Sequence, residues 1–176
     1  MVKRLFPLLL TLLLLAACAA PQPRLEMTAA PSELPAEGTI YILPFLTIMV
    51  PDGVREGIFD RFVDELNQQA GGAGYRFVIL KEGRGVDAAW LQQHAYLRGE
   101  IFGYVEDSGC CNTSLRLRSR LAFYLPEREE AALTINYPRE LFFDHDSTTV
   151  DAERIHLADD ITRGLAETFL AQLLTP

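Results

Sequence analysis

The sequence lacks the motifs that commonly mark an enzyme. No serine lies in a G-x-S-x-G turn, and no glycine-rich phosphate loop precedes a helix. Histidine is scarce, and only Asp144-His145-Asp146 places carboxylates on both sides of an imidazole. On a strand the two aspartates share one face while His145 points to the other, so the segment favours a solvated loop over a metal site. We therefore expect no enzymatic activity, no cofactor and no bound metal.

The chain is also short of positive charge. It has 16 basic and 24 acidic residues, a net charge of −8. Without Lys3 and Arg4, which lie in the N-terminal signal described below, the net charge becomes −10. A chain this acidic repels phosphate groups overall, so it is a poor candidate for binding nucleic acid or anionic lipid by electrostatics, and we expect no nucleic-acid partner.

A long hydrophobic run is the third absence. The apolar stretch at residues 5–16 is shorter than the roughly 20 residues that a membrane-spanning helix needs. It follows Lys3 and Arg4 and ends in small residues, the arrangement of a secretory signal peptide. Export is therefore a better interpretation of this stretch than a membrane span.

The end of the signal, Leu15-Ala16-Ala17-Cys18, resembles the bacterial lipobox. The resemblance implies cleavage after residue 17 and attachment of acyl chains such as palmitate to Cys18. Two or more acyl chains hold a protein stably on a bilayer, whereas one chain binds only marginally. Ala19 stands where many lipoproteins retained in the inner membrane have aspartate, so we expect an outer-membrane anchor with the protein facing the periplasm.

After Cys18, residues 18–38 predict a flexible tether rich in proline and alanine. This segment shows no apolar period and cannot bury enough surface to order itself. One α+β periplasmic domain is then expected over residues 39–175. The prolines of the tether are Pro21, Pro23, Pro31 and Pro35.

The remaining cysteines, Cys110 and Cys111, are neighbours in a predicted hairpin turn, Asp107-Ser108-Gly109-Cys110-Cys111-Asn112. The oxidising periplasm permits a disulfide. The alternatives are a vicinal disulfide, a bridge to another subunit, or two reduced thiols. No C-x-x-C spacing supports a redox or metal role.

Hydrophobic periodicity predicts an α+β fold with a mixed sheet of about five strands and two main helices packed on it. The expected order is β-α-β-(α)-β-β-β-α. An amphipathic helix begins at Val54, and a C-terminal helix repeats apolar residues every four positions from Leu157. Strands are expected at residues 39–45, 75–80, 97–105, 115–125 and 131–143, with a short helical piece at 87–94.

One predicted strand carries a row of three arginines, Arg116, Arg118 and Arg120, on a single face. Neighbours in this row lie roughly 6–7 Å apart along an extended strand. Cross-strand pairing with Glu100 and Glu106 is one explanation of the row. The other is a subunit interface, or a surface for an anionic polymer such as an acidic polysaccharide.

Several segments resemble the TolB amino-terminal-like group of outer-membrane lipoproteins. The resemblance is carried by Leu43-Pro44-Phe45 at the end of the first strand, and by Leu97-Arg98-Gly99-Glu100-Ile101. The group includes the curli secretion lipoprotein CsgG, the exopolysaccharide lipoprotein PelC and the penicillin-binding-protein activator LpoB. The chain departs from the group at Leu46-Thr47, where a polar residue is common. It also lacks room for the long paired hairpins of the curli channel.

Together these features predict a non-enzymatic, lipid-anchored envelope lipoprotein. In one interpretation it is a homo-oligomeric assembly component of a secretion or polysaccharide-export machine. In the other it is a monomeric periplasmic activator or binding module for a cell-wall enzyme.

Overall fold

The structure, a computed structural model, describes residues 22–55, 57–80 and 87–174. The predicted signal at residues 1–17 and Cys18 lie outside the described residues. The described chain is an α+β domain with a mixed sheet and helices packed on it, which confirms the predicted fold class. Two strands beyond the expected five are present, and both are short.

Seven strands of the described ranges form one sheet. Their bounds are β1 Arg24–Met27, β2 Gly38–Ile42, β3 Leu46–Thr47, β4 Tyr75–Ile79, β5 Tyr96–Ser108, β6 Asn112–Tyr124 and β7 Leu133–Asp144. The strand order is β1-β7-β6-β5-β2-β4, and β3 also pairs with β5. Strands β2, β3 and β4 run parallel to their neighbours, while β1, β6 and β7 pair antiparallel. The long β5–β6–β7 meander is therefore the main body of the sheet.

The helices are α1 Asp52–Arg55, α2 Ile58–Gln69, α3 Ala88–Gln92 and α4 Val150–Leu173. The helix predicted from Val54 divides into α1 and α2, because Gly57 has a left-handed backbone with φ of 85°. At the start of α4 the side chain of Thr149 accepts a hydrogen bond from the Ala152 amide. Within the described ranges, no helix combines the length and the apolarity that a membrane crossing requires.

The hydrophobic core lies between α2, α4 and one face of the sheet. Phe62 of α2, Phe123 of β6 and Phe169 of α4 are among its largest fully buried side chains. Burial of a side chain of this size contributes roughly 1.5–3 kcal/mol. The apolar stripe predicted for the C-terminal helix is buried at Leu157, Ile161, Leu165, Phe169 and Leu173.

The segment preceding β2 differs from the predicted flexible tether. Residues 24–27 form β1 against β7, and Pro31–Glu33 form a short 3-10 helix. All four β1 side chains are exposed, so backbone hydrogen bonds hold the strand. Arg128 adds an ion pair to Glu33 at 2.7 Å. The composition of this segment indicates only that it buries little surface. It does not reveal that an unpaired edge of β7 lies beside the segment and offers it backbone hydrogen bonds.

A β-bulge in β5 changes which residues face the helices. Gly103 has a φ of 65°, and the pairing with β6 shifts between Phe102 and Val105. Strict alternation places Val105 in the core and Tyr104 in solvent. In the structure Val105 is 44% exposed, whereas Tyr104 packs against the core. The strict alternation that holds from Leu97 to Ile101 therefore fails after Gly103, because the bulge inserts one extra residue.

Candidate functional site on the open sheet face

The sheet face opposite α2 and α4 carries the arginine row. Arg116, Arg118 and Arg120 are exposed on β6, while the alternating Leu115, Leu117 and Leu121 are buried on the helix side. This pattern follows directly from the two-residue period of a strand. We call the solvent-facing side of β5, β6 and β7 the open face.

Two of the three arginines have carboxylate partners. Arg120 lies 3.6 Å from Glu100 of β5, donates a hydrogen bond to the Asn136 side chain of β7, and stands over the Phe102 ring. Arg116 approaches Glu140 of β7 at 4.0 Å. Exposed ion pairs of this kind contribute about 0–1 kcal/mol each. The predicted pairing with Glu100 is thus present, and these carboxylates partly neutralise both ends of the row.

Arg118 differs from its two neighbours. Its register partners are Phe102 on β5 and Pro138 on β7, and neither can accept a hydrogen bond from a guanidinium through its side chain. Among the described residues, no carboxylate lies within ion-pair distance of Arg118. Its aliphatic stem passes over Gly103, where an added Cβ would lie 3.6 Å from Cδ. The central guanidinium of the row is therefore available to a ligand.

Three adjacent hollows follow the arginine row along the open face. The first, of about 440 Å³, lies between Arg116 and Arg118 and extends to Gly103 and Pro138. The second, of about 520 Å³, shares Arg118 and Pro138 with the first. The third, of about 360 Å³, shares Arg120 with the second. Other residues lining the second and third hollows include Arg24, Glu26, Arg98, Glu100, Phe102, Tyr124 and Asn136.

The first hollow has room because the residues on both sides of Arg118 are small. Gly103 has no side chain, and the ring of Pro138 is short. Pro138 is tolerated because β1 pairs β7 only as far as Asn136, which leaves Pro138 on a free edge. No local pattern in the sequence connects Pro138, Phe102 or Tyr124 with the arginine row. The strand pairing that joins them is non-local and leaves no sequence signal.

Glu106 lies on the opposite side of the sheet from the arginine row. After the bulge it faces α4, where its carboxylate accepts hydrogen bonds from Tyr104 at 2.6 Å and from Arg154 at 2.7 Å. The hydrogen bond from Tyr104 lowers the pKa of Glu106, burial opposes this, and Arg154 lowers the pKa further. The predicted pairing of Glu106 with the arginine row is therefore wrong, because the bulge turns Glu106 to the helix side.

The two thiols stand at the tip of the β5–β6 hairpin. Cys110 and Cys111 are both exposed and unbridged, with their Sγ atoms 3.2 Å apart. The hydrogen bond with Cys110 raises the pKa of the Cys111 thiol, with smaller contributions from burial and from Asp144. The predicted hairpin turn is present, and the Gly109 amide donates to the Asn112 carbonyl.

The segment Asp144-His145-Asp146 begins at the last residue of β7 and continues into a turn. A hydrogen bond of 2.8 Å joins Nε2 of His145 to the Thr113 hydroxyl, which occupies the ring in a structural contact. Over residues 22–55, 57–80 and 87–174, no three histidine, cysteine or acidic side chains converge as a metal site.

No protein-family model matches the chain, and no curated protein matches its sequence. Among solved structures, the PelC dodecamer from Paraburkholderia phytofirmans is 11% identical, with a TM-score of 0.47 over 82% of this chain and 98% of that chain. The rare lipoprotein B from Shewanella oneidensis is 13% identical, with a TM-score of 0.40 over 74% and 97%. The minor lipoprotein from Acinetobacter baumannii is 13% identical, with a TM-score of 0.41 over 80% and 92%. These likenesses are too distant to assign a family or a function.

Proposed function

We propose that this protein is a non-enzymatic lipoprotein, anchored in the outer membrane through acyl chains on Cys18, that assembles with partners in an envelope export machine. The observation that carries the proposal is the sequence Leu15-Ala16-Ala17-Cys18 after a short, basic-led apolar run. Acylation at Cys18 places the folded domain in the periplasm next to the membrane surface. The resemblance to the TolB amino-terminal-like group supports this role.

The open face supports a role in docking rather than in chemistry. It is a broad surface with the guanidinium of Arg118 unpaired and with carboxylates at both ends of the arginine row. An arrangement of this kind recognises a charged surface or polymer by complementarity. The face presents arginine side chains and partly exposed aromatic rings, the kinds of group that bind a ligand without reacting with it.

Acylation is tested by feeding an alkyne-labelled palmitate to bacteria that express the full chain. We expect label on the wild type and none on Cys18→Ser, whose thiol cannot be acylated. The intact mass of the mature protein should correspond to a chain whose first residue is an acylated Cys18. Equal labelling of both proteins, or a mature chain that begins elsewhere, contradicts the proposal.

The outer-membrane location is tested by comparing the wild type with the variant Ala19→Asp. On a sucrose density gradient we expect the wild type with outer-membrane markers. In Gram-negative bacteria that sort lipoproteins by the residue after the cysteine, Ala19→Asp should move to the inner-membrane fraction. Wild type in the inner-membrane fraction contradicts the outer-membrane assignment without affecting the lipid anchor.

Oligomeric state separates an assembly component from a monomeric activator. The measurement is light scattering after size exclusion, on a chain from residue 22 to residue 176, with and without reductant. A discrete homo-oligomer supports the assembly role. A monomer in both conditions contradicts it and favours a module that acts on a cell-wall enzyme.

A further inference from the structure

The unpaired guanidinium of Arg118 lies at the boundary between two hollows of the open face. Arg116 and Arg120 are occupied by Glu140 and Glu100, whereas Phe102 and Pro138 leave Arg118 without an acceptor. A guanidinium prefers planar anions that take two parallel hydrogen bonds, such as a carboxylate. The missing side chain at Gly103 gives such a group room beside the arginine.

The shape of the surface indicates an extended ligand. The three hollows lie one after another along β6. Arg118 borders the first and second hollows, and Arg120 borders the second and third. Phe102 lines the second hollow and Tyr124 the third, where Arg98 supplies a further cation. The track thus offers arginines along its length, with the Phe102 ring opposite Arg118 and the Tyr124 ring beyond Arg120.

The aromatic rings distinguish a sugar polymer from an acidic peptide. Backbone groups in the middle of a sheet are already paired, so an extended peptide gains main-chain hydrogen bonds at an edge and not on this face. Pyranose rings have apolar C–H faces that pack on aromatic rings such as Phe102 and Tyr124. Their carboxylates, where present, reach the arginines between the rings.

We propose that the open face binds a carboxylate-bearing polysaccharide, with Arg118 as the main anion contact. This inference rests on the proposed docking role of the open face and names the class of its ligand. Arg118 makes a charge-assisted bidentate contact, while Phe102 and Tyr124 support the sugar rings. Glu100 and Glu140 partly neutralise the two flanking arginines, which leaves Arg118 as the main contact.

The test measures calorimetric binding of polygalacturonate to the full acylated protein in neutral detergent, with uncharged dextran as the control polymer. Arg118→Gln should weaken binding by about tenfold or more, because it removes a charge-assisted contact. Arg116→Gln, the matched variant at a paired position, should weaken binding by less. Circular dichroism of each variant checks the fold. If Arg118→Gln does not fold, Arg118→Lys takes its place, and because it keeps the charge but loses the bidentate contact, it should bind more weakly than the wild type while retaining part of the affinity.

Several outcomes overturn the inference. One is equal affinity of wild type and Arg118→Gln for polygalacturonate, and another is binding of dextran with the same affinity. Binding of polyglutamate alone, dependent on Arg118, assigns the face to an acidic protein instead. Lipid labelling and light scattering on the same variants report the proposed anchor and assembly separately, so failure of polymer binding is distinguished from failure of the proposed function.

Discussion

Gly103 determines the shape of both faces of the sheet at the scale of a single residue. Its left-handed φ of 65° allows the bulge that sends Tyr104 and Glu106 to the helix side and Val105 to solvent. The same residue leaves room beside Arg118 on the open face. One glycine therefore shapes the first hollow and also allows the contact between β5 and α4.

Replacement of Gly103 by alanine is expected to lower the free energy of unfolding by about 1–2 kcal/mol, the cost of a left-handed backbone for a residue with Cβ. An added Cβ meets Arg118 only at ordinary contact distance, so the loss arises from the backbone and not from a clash. Gly103→Asn should lose less, because asparagine tolerates this conformation. Urea denaturation, monitored by circular dichroism, measures the unfolding free energy of both variants. Equal losses for Gly103→Ala and Gly103→Asn contradict a cost that arises from the left-handed backbone.

The adjacent thiols lead to a prediction about oxidation. Because Sγ of Cys110 lies 3.2 Å from Sγ of Cys111, we expect an external disulfide to oxidise them to an intrachain vicinal bridge. In intact-mass spectra the oxidised domain should lose two hydrogens and remain a single chain. Cys110→Ser should instead give reductant-sensitive dimers through the exposed Cys111. Dimers of the wild-type domain under the same conditions indicate an intersubunit bridge.

At the scale of elements, α4 is held against the sheet by both close packing and ion pairs. Gly164 of α4 lies directly against the Tyr137 ring of β7. Arg139 of β7 pairs with Asp160, and Arg61 of α2 pairs with Asp159 at 2.5 Å. These contacts fix the helix in rotation and in distance from the sheet, which keeps its apolar stripe in the core.

Gly164→Ala is expected to destabilise the domain by roughly 1–3 kcal/mol through overpacking against Tyr137. Alanine is normally favoured over glycine in a helix by about 1 kcal/mol, so helix propensity alone predicts that Gly164→Ala stabilises the domain. A loss of stability therefore identifies the overpacking. Gly53→Ala in α1 is the matched control, since no atom lies within 4 Å of its added Cβ. Thermal denaturation compares the two, and stabilisation by Gly164→Ala contradicts the packing shown here.

The network of Tyr104, Glu106 and Arg154 connects β5 to α4 and depends on pH. The pKa of Glu106 is lowered in the folded state, so its contribution to stability is present above the ordinary value of 4.5 and is lost as pH falls through the lowered pKa. Glu106→Gln removes this dependence. Below pH 4.5 the unfolding free energy of the wild type should therefore fall more steeply than that of Glu106→Gln.

Urea titrations at several pH values measure this difference. Glu140→Gln on the open face is the control, because it removes a carboxylate without touching the β5–α4 contact. Parallel pH profiles for wild type and Glu106→Gln contradict a specific role for Glu106.

At the scale of the whole molecule, charge is distributed unequally. The chain has a net charge of −8, yet the open face carries the arginine row and, next to it, Arg98. The segment before β2 is part of the domain, because β1 closes part of the β7 edge and Arg128 holds Glu33. Uncovered strand edges promote association between chains, so this segment protects the domain in solution.

A chain that begins at residue 30 is expected to aggregate more than one that begins at residue 22, because loss of β1 exposes the β7 edge from Leu133 to Asn136. Size exclusion and turbidity at equal concentration compare the two. Leu25→Thr with Met27→Thr, which keeps the strand and removes its exposed apolar side chains, should remain soluble. Equal solubility of both chain lengths contradicts a protective role for β1.

The sequence by itself determined the local features of this protein. Alternating residues predicted β6 and its arginine row, and a four-residue apolar repeat predicted α4, because periodicity reflects the geometry of one element. The resemblance of Leu15-Ala16-Ala17-Cys18 to a lipobox is likewise a local pattern. Tertiary structure alone decided the β1–β7 pairing, the side on which Glu106 lies and the lack of a carboxylate partner for Arg118 among the described residues. These three features depend on strand partners that are distant in sequence and on one inserted residue at Gly103. Hydrophobic periodicity encodes neither the strand partners nor the bulge.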